Sequence, residues 1–101
     1  MIIYNVTKQV SWTVHEEWLE WLRTEHLPQM EVSELFDFCQ VVKLLELDDV
    51  AGPTYAIQYY ASFSSEADDY RRRLLADTRT QETGRWGEMV YSFSTMMEVI
   101  N

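Results

Sequence analysis

Residues 36–61, FDFCQVVKLLELDDVAGPTYAIQYYA, contain the pattern that determines the architecture of this chain. Two runs rich in aromatic and β-branched residues, 36–47 and 54–61, flank a segment that contains Gly52 and Pro53. Runs of this kind with turn residues between them predict two antiparallel strands joined in a hairpin. Apolar side chains occur at odd and even positions of the first run, so this strand should be covered on both of its faces.

The residues that precede the hairpin predict a strand followed by a helix. Residues 2–10 alternate in polarity with the period of a strand. Thr13 and Glu16 have the spacing of a capping box, which predicts that a helix begins at about residue 14. Pro28 lacks an amide donor, so it should kink or end this helix.

The residues that follow the hairpin predict a second helix and a fourth strand. Ser64 or Ser65 should cap a helix over residues 66–82, and residues 89–100 alternate as a strand. The resulting order, strand, helix, strand, strand, helix, strand, is the ferredoxin-like βαββαβ arrangement. We therefore expect a single α+β domain over residues 1–101, with an antiparallel four-stranded sheet and two helices on one face.

The second face of this sheet predicts a partner. We expect the more apolar side of each strand to lie beneath the helices, yet the opposite side is also rich in apolar residues. These are Ile3, Cys39, Val41, Ala56, Tyr60, Val90, Met96 and Ile100, mixed with Asn5, Gln58, Ser92 and Ser94. Covering them would contribute on the order of 10 kcal/mol before association costs, so we expect a homodimer through the sheet face. The alternative is a monomer in which Tyr60 and Met96 are isolated exposed apolar residues.

The charge of the chain argues against a nucleic-acid partner. Its 17 Asp and Glu outnumber its 8 Lys and Arg, which gives a formal net charge of −9. A nucleic acid would be repelled by this field. The basic cluster 71–73 follows Asp68 and Asp69 at a spacing of four residues, which is typical of ion pairs on a solvated helix face.

Cys39 is the only cysteine, which excludes an intramolecular disulfide and a cysteine metal cluster. His15 and Glu16 begin like the H-E-x-x-H zinc motif, but Leu19 occupies the position of the second histidine, so we expect neither a metal nor a cofactor.

The chain opens on a strand-like run instead of a charged leader, and it contains no apolar stretch of membrane-spanning length. We expect a cytoplasmic protein without a membrane partner.

Two histidines of the first helix are the best chemical candidates. The apolar arc of this helix holds Val14, Trp18, Leu19, Trp21, Leu22 and Met30. His15 and His26 are eleven residues apart and fall, with Glu25, within this arc. One interpretation is a pair that transfers a proton or orients a substrate in a cleft between helix and sheet, with His26 as the catalytic candidate. The other interpretation is structural, with both histidines donating hydrogen bonds to backbone or tyrosine oxygens.

Aromatic residues supply the candidates for a ligand site, since tyrosine and tryptophan combine a large apolar body with a polar tip. We expect any ligand to lie between the helices and the sheet, in contact with Trp18, Trp21, His26, Tyr59 and Tyr91. Arg71 lies on the apolar side of the second helix. Its guanidinium would either bind an anionic ligand or reach the solvent while the aliphatic part of the side chain packs against the protein.

Several stretches of the chain resemble a family of uncharacterised bacterial proteins of the DUF type. They are MIIYNVT at 1–7, HEEWLEW at 15–21, HLP at 26–28, TYAIQY at 54–59 and EVI at 98–100. The resemblance covers nearly the whole chain and implies the dimeric α+β-barrel fold, an architecture shared with antibiotic-biosynthesis-type monooxygenases. It implies no activity, so no catalytic residue is transferred from it.

The sequence therefore predicts a small homodimeric module that binds a small ligand or has a structural role. The alternative is a cofactor-independent monooxygenase or isomerase that acts on an aromatic or quinone-like molecule, which rests on the analogy of fold alone. Turnover that is lost in a folded His26→Ala variant would favour the enzyme.

Overall fold

The computed structural model describes residues 1–101 as one antiparallel sheet with helices packed against it. The strands are β1 (Ile2–Val10), β2 (Phe38–Lys43), β3 (Thr54–Ala61) and β4 (Val90–Glu98), in the spatial order β2-β3-β1-β4. The helices are α1 (His15–Trp21), α2 (Leu27–Ser33) and α3 (Ser65–Trp86). A π-helical turn (Leu22–His26) joins α1 to α2, and a 3-10 turn (Gly87–Met89) links α3 to β4. The predicted α+β class, with four antiparallel strands and two helical segments, is confirmed.

Of the two outcomes predicted at Pro28, a kink or an end of the first helix, the end does not occur. The chain stays helical to Ser33 because the turn before the proline widens, and the amide of Leu27 donates to the carbonyl of Leu22, five residues back. In a regular α-helix, the proline ring would collide with the carbonyl four residues earlier. A π turn directly before the proline relieves this conflict, so the first helical segment continues through it.

The ends of several elements also differ from the predictions. No side chain caps α1, and the amide of Thr13 bonds instead to the hydroxyl of Ser11 at 3.3 Å. β2 has 6 residues, about half of the predicted run, because residues 44–53 form the loop to β3. Ser64 caps α3 as predicted, and its hydroxyl accepts the amide of Ala67 at 3.3 Å.

The loop between β2 and β3 packs against the end of β1. The amide of Val10 donates to the carbonyl of Pro53 at 3.0 Å. A side chain at Gly52, whose φ is +152°, would place its Cβ atom 1.8 Å from the carbonyl oxygen of Val10. The close approach of the two backbones therefore requires glycine at this position.

Both helical segments pack on the same face of the sheet, here called the inner face. Tyr55 and Tyr59 of β3 hydrogen-bond to His15 and His26 of the first helical segment. Lys8 of β1 lies opposite Tyr55 in the sheet and bonds to α3. Because side chains alternate between faces along a strand, the pairing register assigns each strand residue to this face or to the opposite, outer face.

The two edge strands, β2 and β4, present the faces opposite to those predicted. The residues wrongly expected on the outer face, but found on the inner one, are Cys39, Val41, Val90, Ser92, Ser94 and Met96. The outer face instead carries Phe38, Val42, Tyr91, Phe93 and Met97, beside Ile3, Ala56 and Tyr60 as predicted. Ile100 lies beyond the end of β4. Apolar residues occupy both sides of β2 and β4, so a pairing offset of one residue exchanges one apolar face for the other.

The core lies between the inner face and the helices. Trp18 and Met30 are fully buried in it, in agreement with the predicted apolar arc of the first helix, and so is Tyr59 of β3. Glu25, predicted within the same arc, is instead exposed and lies 3.5 Å from Arg85. α3 contributes differently, because the side chains that it buries include the polar Thr78 and Glu82. These polar groups need partners between helix and sheet. No helix of the structure, including α3 with its 22 residues, has both the length and the hydropathy of a membrane span.

Candidate ligand-binding site

A cleft of about 360 Å³ lies between α3 and the inner faces of β1 and β4. Ser92 and Ser94 of β4 form one wall, and Leu75 and Ala76 of α3 contribute to the other. The cleft exists because β4 places its serines, and not its aromatic residues, beneath α3. Its volume lies within the range of about 300 to 1,000 Å³ that is typical of small-molecule sites.

Lys8, which lines the cleft, belongs to a buried ion pair. The ammonium of Lys8 lies 2.6 Å from a carboxylate oxygen of Glu82 on α3, and the two side chains are only 4% and 3% exposed. The indole nitrogen of Trp18 donates a 3.0 Å hydrogen bond to the same oxygen. Burial lowers the pKa of Lys8, whereas the charge of Glu82 opposes this effect. Removing either partner would leave the other as an uncompensated buried charge.

Two arginines of α3 border the cleft. Arg72 pairs with Asp68 at 2.8 Å and contacts the sulfur of Met96 across the opening. Arg79 also reaches β4, where a terminal nitrogen donates a 3.3 Å hydrogen bond to the backbone carbonyl of Ser92. No carboxylate lies within ion-pairing distance of Arg79, unlike Arg72. The rim therefore carries one neutralised and one unneutralised cation.

Tyr59 connects the cleft to His26, which lies behind it. Tyr59 lines the cleft, and its hydroxyl is 2.5 Å from Nε2 of His26, whose ring stacks on Trp21 with the centroids 5.0 Å apart. Burial, followed by the charge of Lys8, lowers the pKa of His26 to about 3. Burial also raises the pKa of Tyr59 well above its ordinary value of 10.0. Both groups are therefore neutral at physiological pH, and neither pKa lies where general acid–base catalysis is efficient.

Of the residues predicted to line a ligand site, only Tyr59 lines the cleft. Trp18, Trp21 and His26 lie behind it in the packed layer beneath the first helical segment, where none is more than 7% exposed. Tyr91 lies on the outer face at the margin of a second depression of about 560 Å³, which is shallow and open to solvent. The aromatic candidates are therefore divided among the cleft, the core and the outer face.

The two histidines of the first helical segment make similar contacts with tyrosines of β3. His15 lies 2.7 Å from the hydroxyl of Tyr55, as His26 lies beside that of Tyr59. Burial lowers the pKa of His15, and the charge of Lys43 adds to this effect. Both contacts are those of the structural interpretation, although Nδ1 of His26 is buried without a hydrogen-bond partner.

Sequence reasoning missed Lys8 and Arg79, which line the cleft, and Glu82, which pairs with Lys8. Lys8 could have been recognised from the alternation of β1, because it occupies the side of this strand that also holds Tyr4 and Val6. A lysine on the buried side of a strand requires a partner carboxylate in the layer that covers it. Glu82 and Arg79 carried no comparable signal, since charged residues are abundant on every side of α3.

Other candidate residues have structural roles. The guanidinium of Arg71 donates to the carbonyls of Leu35 at 2.7 Å and Ser62 at 3.1 Å, so it fastens two loops and reaches neither a ligand nor the solvent. Burial raises the pKa of the Cys39 thiol to about 11, which favours the unreactive form. Asp68 pairs with Arg72 as predicted, but Asp69 forms no such pair. The structure brings together no group of three or more metal-ligating side chains.

Comparison with known proteins adds a family match to this geometry. A domain of unknown function, DUF4286, matches residues 1–100. No curated protein and no solved structure matches the chain. The match includes all four strands and every residue of the cleft, and it agrees with the resemblance to an uncharacterised family that the sequence predicts.

Proposed function

The chain belongs to DUF4286, a family of unknown function, and we propose that it is a homodimeric module that binds a small molecule in the cleft beneath α3. The observation that carries this proposal is a volume of about 360 Å³ in which charged, hydroxyl and apolar groups converge. The free thiol of Cys39 is in keeping with the reducing, cytoplasmic location that the sequence predicts.

The proposal includes the ferredoxin-like class and, in the dimer, an α+β barrel. The order strand, helix, strand, strand, helix, strand supports this class. The position of β3 between β1 and β2 supports it too, because a split βαβ unit has this strand order. Helices on the inner face leave the outer face free, as two facing sheets require.

The outer face supports a second copy of the chain as its cover. Cross-strand pairing arranges its side chains in rows. One row is apolar and crosses all four strands: Phe38, Tyr60, Ile3 and Met97. The neighbouring row is polar and uncharged: Gln40, Gln58, Asn5 and Thr95. No outer-face residue of any strand is charged, although charged residues make up 25% of the chain.

Charge and size favour a second copy over other partners. Two chains of net charge −9 repel each other, so they approach best through a surface without charge. Four strands about 4.8 Å apart and about eight residues long form a face of roughly 19 by 27 Å, and two such faces would bury on the order of 1,000 Å². This area is at the lower limit of specific interfaces, so we expect a dissociation constant in the micromolar range.

The rival function is a cofactor-independent monooxygenase or isomerase that uses the pair of Tyr59 and His26. The location of Tyr59 on the cleft favours this alternative. The low pKa of His26 and the high pKa of Tyr59 disfavour proton transfer near neutral pH, which is why we prefer binding. Turnover of an aromatic compound that disappears in a folded His26→Gln variant would replace our proposal with the enzyme.

Two substitutions at one position test ligand binding in the cleft. Ser94→Leu should fill the cleft, whereas Ser94→Ala should leave it open. In an NMR titration with a library of small molecules, we expect amide signals of residues 72–79 and 92–96 to shift in the wild type and in Ser94→Ala, but not in Ser94→Leu. Hits that shift only other residues, or that bind Ser94→Leu unchanged, would show that the cleft is not the binding site.

The dimer is tested by two exposed aromatic residues, of which only one lies on the outer face. Phe93 of β4 is 50% exposed there, and Tyr70 of α3 is 62% exposed outside it. Light scattering at tens of micromolar should give twice the 12.0 kDa chain mass for the wild type and for Tyr70→Lys. Phe93→Lys should give the mass of one chain, because it buries a charge in the interface. A wild type that is monomeric at this concentration would refute the dimer.

A further inference from the structure

The cations at one end of the cleft exceed the carboxylates that neutralise them. Lys8 and Arg79 both line the cleft, and the only carboxylate paired with either is that of Glu82. Burial is the main reason why the pKa of Lys8 is lowered, but the positive charge of Arg79 contributes. The two cations therefore repel each other across this end of the cleft. An anion between them would replace this repulsion by two attractions.

One free hydroxyl group lies at the same end of the cleft. Ser92 lines the cleft and lies opposite Lys8 in the sheet register. Thr78 lines the cleft too, but its hydroxyl already donates to the carbonyl of Leu74 at 2.9 Å. The backbone carbonyl of Ser92 accepts a hydrogen bond from Arg79, but its hydroxyl has no partner within the chain. A free hydroxyl beside two cations offers the set of donors that carboxylate oxygens accept.

The opposite end of the cleft carries no unneutralised charge and is lined mainly by apolar side chains. Val6 of β1 and Leu75 and Ala76 of α3 line it together with Tyr4 and Met96, and the charged residue there, Arg72, pairs with Asp68 at 2.8 Å. A molecule that spans the cleft therefore has to present an apolar body to this end and a negative charge to the other. An inorganic anion would satisfy the cations but would leave the apolar end unfilled.

We infer that the ligand is a small organic acid with a compact apolar body. Its carboxylate binds between Lys8 and Arg79, with the hydroxyl of Ser92 as a further donor. Its apolar body lies along Val6 and Leu75. This inference rests on the proposed binding function and names the class of ligand. The net charge of −9 does not prevent such binding, because exposed charges beyond a Debye length are screened whereas those that line the cleft act at contact.

Two probes that differ in charge test the inference. 1-Naphthoate and 1-naphthamide share a ring system, and only the first carries a negative charge. NMR titration at physiological ionic strength should give a dissociation constant about tenfold lower for the naphthoate, the effect of one charge-assisted hydrogen bond. Arg79→Gln should remove this preference by weakening the binding of the naphthoate. Arg73→Gln is the matched control, because Arg73 is exposed on the same helix and does not line the cleft.

The outcomes separate this inference from the function on which it rests. Equal affinities of the two probes for the wild type, or an undiminished preference in Arg79→Gln, would overturn the organic acid while both probes still bind in the cleft. If neither probe shifts the amide signals of residues 72–79 and 92–96, and the library of small molecules does not either, the binding function fails together with the inference. A tenfold preference that disappears in Arg79→Gln and persists in Arg73→Gln supports both.

Discussion

Acid should destabilise this protein well above the pH at which carboxylates are protonated, and His26 should be the cause. His26 is 1% exposed, and burial together with the charge of Lys8 lowers its pKa from 6.5 to about 3. The imidazole is half-protonated at pH 6.5 in the unfolded chain, whereas in the folded chain it reaches half-protonation only at about pH 3. The unfolded state therefore binds more protons throughout this window, and the free energy of unfolding falls as the pH falls.

The magnitude follows from the difference between the two pKa values. One proton corresponds to about 1.36 kcal/mol per pH unit within the window, so the whole difference is worth about 5 kcal/mol. Between pH 7.5 and pH 4.5, His26 alone should lower the free energy of unfolding by about 2.7 kcal/mol. This is a large part of the stability expected of a small domain, which is about 5 to 15 kcal/mol.

Urea unfolding followed by tryptophan fluorescence at several pH values from 4.5 to 7.5 measures this effect, at one fixed protein concentration because a dimer is proposed. His26→Gln keeps a polar group beside the hydroxyl of Tyr59 but does not titrate, so its stability should depend much less on pH. The lower limit of pH 4.5 avoids Asp68, whose pKa is lowered below 3.8 by its hydrogen bond with Tyr4 and by Arg72. His15→Gln is the matched control, because His15 is less buried and should contribute less. If the wild type and His26→Gln lose the same stability between pH 7.5 and 4.5, the argument from burial is wrong.

Two further predictions concern the buried ion pair and the close backbone contact. In denaturant titrations, Glu82→Ala should lower the free energy of unfolding by about 3 to 5 kcal/mol, because it leaves Lys8 without its carboxylate. The double variant Lys8→Met with Glu82→Leu should recover most of this loss. A double variant as unstable as Glu82→Ala would contradict the pairing argument. Gly52→Ala should destabilise the folded protein by about 3 kcal/mol, because the added Cβ atom would collide with the carbonyl of Val10. Gly84 lies inside α3, and a Cβ atom added there has no neighbour within 4 Å, so Gly84→Ala should stabilise the protein by about 0.5 to 1 kcal/mol. Thermal unfolding distinguishes the two glycines, and shifts of the same sign would refute the distinction.

The features that depend on local periodicity could be predicted from the sequence. The alternation of β1 and the apolar arc that holds Trp18 and Trp21 place those residues correctly, because burial follows the period of 2.0 or 3.6 residues within one element. Whether the helix would continue past Pro28 or end there could not be predicted in this way. A π turn inserts one residue into the helical period, and no local pattern distinguishes it from a helix end.

The candidate site was harder to predict, because a cleft forms where side chains are small. The aromatic candidates have the size and polarity of ligand-binding residues, yet the same size makes Trp18 and Trp21 suitable for filling the core. Tyr59 belongs to both groups, since it is fully buried and also lines the cleft. The positions that leave space are Ser92 and Ser94, and their role depends on which face of β4 lies beneath α3. That choice is made by pairing with β1, which is a long-range contact.

The orientation of β4 links the two proposals. With β4 in this register, Ser92 and Ser94 lie beneath α3, where their small side chains keep the cleft open, while Tyr91 and Phe93 lie on the outer face. The opposite register would place both aromatic residues against α3 and close the cleft, and it would make the outer face more polar. A register that exposes two aromatic residues to solvent is unfavourable in a monomer, since each would contribute about 1.5 to 3 kcal/mol if buried. A second copy on the outer face removes this disadvantage. The dimer that we propose would therefore stabilise the register that keeps the ligand cleft open.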